Sequence, residues 1–123
     1  MFTLTTAAAI ISTLALANFA LAVAPGIYTC SGRHWTGDCH WTPISKKYKR
    51  CLPIVNKGGI VSFGPDAGLW VEIFEDSACS KIAYNTLVFP GLPDMTPWLE
   101  PTKNTTYVIV HDCETDLTAW NCY

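Results

Sequence analysis

Six cysteines, Cys30, Cys39, Cys51, Cys79, Cys113 and Cys122, all lie downstream of an apolar leader in this chain of 123 residues. No other feature limits the possible folds as much. The first 32 residues carry no charged side chain. The leader runs Thr-rich, then Ala/Ile/Leu-rich, and ends in Ala20-Leu21-Ala22, a small-x-small pattern that predicts signal-peptide cleavage after Ala22. Residues 1–22 are therefore expected to be removed, leaving 23–123 as one secreted, soluble domain with no membrane segment in its mature form. The competing expectation is an uncleaved anchor. The apolar run 7–24 reaches only the shortest membrane span, is broken by Ser12, Thr13 and Asn18, and lacks Lys/Arg flanks.

An even cysteine count in a small exported chain predicts three disulfides. A core of this size gains several kcal/mol from each bridge through restriction of the unfolded chain. Many pairings are open from sequence alone. Cys30/Cys39 and Cys113/Cys122 share one spacing, which suits bridges within hairpins.

Formal net charge is −2, too small to steer the chain to nucleic acid or anionic lipid. One basic run stands out, Lys46-Lys47-Tyr48-Lys49-Arg50. Such runs are usually solvated loops or charged sheet edges. A polyanion contact is the functional alternative. Lys49-Arg50 is also a dibasic processing signal, and a cut there falls directly before Cys51, whose disulfide is expected to hold the pieces together.

No long stretch keeps a helical apolar period. Short strands are predicted at 27–30, 39–42, 50–55, 60–63, 69–74, 82–84 and 107–111, and 117–122 is a candidate closing strand. In 69–74, Trp70 and Glu72 face one way and Val71 and Ile73 the other. Residues 89–94 are read as loop, because Pro90, Pro93 and Pro97 crowd that stretch. Strands this short, with turn signals between them, predict an all-β sandwich or barrel. Asn104-Thr105-Thr106 is an N-glycosylation sequon, expected on a surface loop.

A weak internal repeat appears in Cys30-Ser31-Gly32-Arg33-His34-Trp35-Thr36-Gly37 and again in 74–81, ending at Cys79-Ser80-Lys81. It resembles the opening fingerprint of a βγ-crystallin Greek key, aromatic-x4-aromatic-x-Gly. Cys30 and Cys79 stand at aromatic positions, and Lys81 stands where Gly is usual. Together with Ser62-Phe63-Gly64-Pro65-Asp66-Ala67-Gly68, the stretch 27–80 is similar to a group of small cysteine-rich fungal secreted proteins with a βγ-crystallin-like fold. The resemblance implies a disulfide-stabilised sandwich of two Greek keys and an effector-type role. Physically, Gly37 would take positive φ at a folded hairpin, Trp35 would cover that turn, and Ser62 would hydrogen-bond back to the hairpin backbone. The calcium pattern of that family is replaced here by Lys57-Gly58-Gly59-Ile60-Val61-Ser62, which offers too few oxygen ligands.

His34, His40 and His111 lack metal-ligand spacing, so no metal or cofactor is expected. No Gly-x-Ser-x-Gly element is present and no cysteine is expected free, so no catalytic residue is assigned. The function expected is non-catalytic binding of an extracellular protein or glycan by a monomer. The alternatives are a secreted ribonuclease, which would need His34, His111 or Glu114 with a cation such as Arg33 or Lys103, and a killer-toxin or antimicrobial protein, which the near-neutral charge disfavours. Of the tryptophans, Trp35, Trp41, Trp70 and Trp120 are expected in the core or over turns. Trp98, in a Pro-bounded loop, is the candidate exposed aromatic, and Asp94, Trp98 and Glu100 form the candidate binding rim.

Overall fold

A computed structural model describes residues 25–45 and 47–114. The leader, Trp120, Cys122 and the candidate strand 117–122 lie outside the described residues. Within them the chain is all-β, in two antiparallel sheets. The strands are β1 (Gly26–Gly32), β2 (Thr36–Pro43), β3 (Cys51–Val55), β4 (Ser62–Pro65), β5 (Leu69–Phe74), β6 (Ile82–Val88) and β7 (Thr105–Asp112). One sheet has the order β2-β1-β4 and the other β3-β7-β5-β6.

The clearest sequence patterns become the central strands. In β7, Thr106, Val108 and Val110 are buried and their neighbours half-buried, the alternation of a strand with one face on the core. In β5, Leu69, Val71 and Ile73 point into the core, while Trp70 and Glu72 share the other face with His111. The core draws on both sheets: Ile27 and Phe63 from one, Ile54, Val71, Ile73, Leu87, Val108 and Val110 from the other. Ile44, Ile60 and Met95 join it from the connecting segments.

The two halves exchange segments. β3 lies between β2 and β4 in sequence but pairs with β7 in the second sheet. The 89–104 segment lies between β6 and β7 but reaches the first sheet, where Leu92 bridges Phe63 on the free edge of β4. Met95, fully buried, anchors it, and its N–H donates to Val61 O. An exposed sheet edge is thereby covered. Residues 89–94 are loop, as their prolines predict, whereas β6 runs to Val88 and is longer than its short apolar signal.

Cys30–Cys39 closes the β1–β2 hairpin across directly opposed residues, as the spacing suggests. Cys51–Cys79 ties β3 to the β5–β6 turn. Cys113 is disulfide-bonded as well, and no described cysteine is free. This map corrects one expectation. No cysteine ahead of Arg50 bonds to any after it, since Cys30 and Cys39 bond to each other, so a cut between Arg50 and Cys51 leaves pieces without a covalent link. The basic segment is an exposed bend rather than a strand. Lys47, Lys49 and Arg50 face solvent, Tyr48 packs on the core, and Lys46 lies outside the described residues.

Candidate ligand-binding face

The β1–β2 hairpin carries the most distinctive surface. The paired cysteines set its register, so Tyr28 stands opposite Trp41, and Tyr28 also stands opposite Gly64 on β4. These three residues lie on the outer face, because Ile27 and Thr29 are buried on the other side. Tyr28 is 37% exposed and Trp41 39%.

The turn of the hairpin returns Trp35 to the same face. His34 and Trp35 hold positive φ of 55° and 62°, and Gly37 follows at 81°. Left-handed backbone costs a non-glycine residue about 1 kcal/mol or more. Here it accompanies an indole laid against Tyr28, with ring centroids 6.0 Å apart. Ser62 Oγ donates to Gly32 O at 2.8 Å and pins the turn to β4. The roles read from sequence for Gly37 and Ser62 are thus realised, and Trp35 is half-buried over the hairpin.

Gly64 supplies the floor. A Cβ there would lie 2.8 Å from the Trp35 ring and collide with Pro90 O, so both approaches depend on the missing side chain. The result is an open groove of about 250 Å³ lined by Tyr28, Trp35, Gly64, Pro65, Asp66, Phe89 and Pro90. Phe89 is 48% exposed. At one end Asp66 Oδ2 accepts the Gly26 N–H at 2.8 Å and the Trp41 indole N–H at 3.0 Å. The Trp41 ring lies outside the groove lining but is tied to it by that carboxylate and stands opposite Tyr28, so the aromatic strip runs from the groove to Trp41 through Asp66.

The rim residues predicted from sequence share a segment but not a set of neighbours. Asp94 pairs with Arg33 Nε at 3.0 Å and accepts the Thr96 hydroxyl at 2.7 Å and the Thr96 N–H at 3.0 Å. These Thr96 bonds, with Arg33 and His34 beside them, hold its carboxyl below the usual carboxylate value. Trp98 is exposed, as expected, and packs edge-on against Tyr84 of β6 at 4.9 Å. Glu100 borders a small cavity with Glu75, Leu99 and Lys103. Asn104 is exposed at the entry to β7, on the surface as its sequon predicts.

Trp41, expected in the core or over a turn, instead lies exposed on an edge strand that is nearly all solvent-facing. With Tyr28 and Phe89 it is what reading the sequence missed. A signal for the first two was present, since bonding Cys30 to Cys39 places residues 28 and 41 side by side. Asn56 was missed too. It is buried, and its Nδ2 donates to Asp38 O at 2.8 Å and contacts Thr29 O and Oγ1 at 3.3 Å, which ties the hairpin to the loop after β3.

The acid/base candidates of a ribonuclease sit apart in the fold. His34 occupies the β1–β2 turn of one sheet. His111 lies on β7 of the other, stacked on Trp70 at 3.8 Å and bonded to Glu72 at 2.8 Å. Among the described residues, no three His, Cys, Asp or Glu side chains cluster as a metal site would require. No described helix is long and apolar enough to cross a membrane. The chain matches no protein-family model, no curated protein and no solved structure.

Proposed function

We propose that this chain is a secreted, non-catalytic binding protein that engages an extracellular or host target through the outer face of its first sheet. The observation that carries the reading is the exposure of Tyr28 and Phe89 in one groove, with the exposed Trp41 bonded to the Asp66 that lines it. Solvent-exposed aromatics gathered on one face mark interaction surfaces. The disulfides agree with an oxidising compartment. The exposed Asn104 is a glycan acceptor in the same reading, and Asp94, Trp98 and Glu100 are a secondary contact region.

The fold proposed is a βγ-crystallin-like pair of Greek keys. It is supported by the strand orders β4-β1-β2 and β7-β5-β6, which repeat one arrangement with the intervening segment sent to the opposite sheet.

The test uses the secreted, disulfide-intact protein immobilised and exposed to host extracellular fractions. Retention of a component by the wild type, with loss by at least about tenfold in Trp41→Ala/Phe89→Ala, is expected. Retention that is equal in the variant removes the face from the function. N-terminal sequencing of the same material is expected to begin at Val23, and an intact leader on intracellular protein would overturn secretion.

A further inference from the structure

Resting on the binding face just described, we infer that its ligand is a neutral polysaccharide, seated with pyranose rings against the aromatic strip. Three features select that chemistry.

The first is charge. Among the described residues that line the groove, Asp66 is the one carboxylate and none is Lys, Arg or His. A lone carboxylate opposes phosphate, sulfate and uronate groups, and no cation in the lining offsets it. An anionic ligand is thereby disfavoured, whereas an uncharged one meets no opposing charge.

The second is the pattern of donors and acceptors. Both side-chain hydrogen bonds that Asp66 accepts from described residues end on Oδ2, and Oδ1 accepts none of them. A sugar hydroxyl brings the donor that this oxygen needs. A proline-rich peptide, the other polymer that binds aromatic grooves, presents backbone carbonyls and needs donors from the protein. The Trp41 indole N–H is engaged by Asp66, which leaves the Tyr28 hydroxyl and the Trp35 indole N–H as the side-chain donors of the lining, and titration separates the two polymers.

The third is preorganisation. Trp41 is held by its indole bond and lies over Gly26, where a Cβ would come within 2.6 Å of its ring. Trp35 is held over Gly64 and against Tyr28. Rings fixed before binding lose little freedom on contact, and flat C–H faces of sugars meet flat aromatic faces without induced fit.

The experiment titrates the full disulfide-bonded protein with neutral hexasaccharides of glucose, mannose and N-acetylglucosamine, with an oligogalacturonate, and with a decaproline peptide. Tryptophan fluorescence and calorimetry are the readouts. At least one neutral oligosaccharide is expected to shift the emission saturably, and its affinity is expected to fall by at least about tenfold in Phe89→Ala, which removes an exposed ring without a hydrogen bond. Decaproline binding with no neutral sugar binding overturns the sugar assignment and leaves the face as a binding surface. Preference for the oligogalacturonate also overturns it. Failure of every probe, with retention from host fractions still lost in Trp41→Ala/Phe89→Ala, overturns the ligand class alone. Failure of every probe with retention equal in that variant overturns the binding face as well.

Discussion

Asp66 and Trp41 are joined by a hydrogen bond of 3.0 Å from the indole nitrogen to a carboxylate oxygen that also takes the Gly26 N–H. One side chain in the β4–β5 turn thus holds both strands of the first hairpin. Asp66→Ala removes both bonds and is expected to destabilise the fold by about 1–2 kcal/mol, since one bond is half-buried and the other exposed. Trp41→Phe loses the indole N–H but keeps an aromatic ring and the Gly26 bond, and is expected to cost less. Urea titrations of the three proteins read the order. Equal losses would mean that the Gly26 bond contributes nothing.

The two described disulfides close loops of different length, with sequence separations of 9 and 28. On the chain-entropy account the longer loop contributes about 3.5 kcal/mol and the shorter about 2.5 kcal/mol. Cys51→Ala/Cys79→Ala is therefore expected to lower the denaturation midpoint more than Cys30→Ala/Cys39→Ala. Cys30 is fully buried, which adds a packing loss to the second variant. If that packing dominates, the order reverses and the entropic account fails for this hairpin.

The sequence exposes what is local and hides what is distant. β5 and β7 were legible because Val71, Ile73, Val108 and Val110 keep a two-residue period into the core. β6 was underestimated because Ile82, Asn85 and Thr86 are exposed on an edge strand, where burial imposes little alternation. Gly37 and Ser62 were legible as members of the motif that carries the resemblance, and positive φ at Gly37 and the Ser62 hydroxyl bond to Gly32 O give that motif its physical content. Gly64 was not, because its need for a bare Cα comes from Pro90 O and Trp35, brought there by the fold. The candidate site followed the same division. Trp98 lies in a Pro-rich loop, which drew attention to it, while Trp41 became visible as a surface residue only once Cys30–Cys39 fixed the hairpin register.

The disulfide map makes the dibasic bend testable. Trypsin cleavage after the exposed Arg50 is expected to give a product that stays assembled in native buffer, because β1 pairs with β4 and Ile27 sits in the core. In denaturant without reductant the two pieces are expected to separate, since neither described bond spans the cut. Non-reducing electrophoresis and intact mass measurement read this. One unreduced band from fully cleaved protein would contradict the map.

Asp76 links acid sensitivity to the second hairpin. Its carboxyl lies below the ordinary value of 3.8, held there first by the Ser80 hydroxyl and then by the Lys81 N–H, with the Ser80 N–H adding to them. Those bonds brace the turn that carries Cys79 at positive φ. A depressed folded-state value favours the charged form in the folded protein. The stabilisation is therefore complete above the unfolded value and is lost as pH falls through the lower folded one. Asp94 is depressed as well and acts in the same direction, so the informative quantity is the difference between wild type and Asp76→Asn. Wild-type stability is expected to fall more steeply than that of the variant as pH drops below the ordinary carboxylate range. Denaturation midpoints measured from about pH 6 to about pH 2 check this, and parallel curves would show that the turn does not depend on the Asp76 charge.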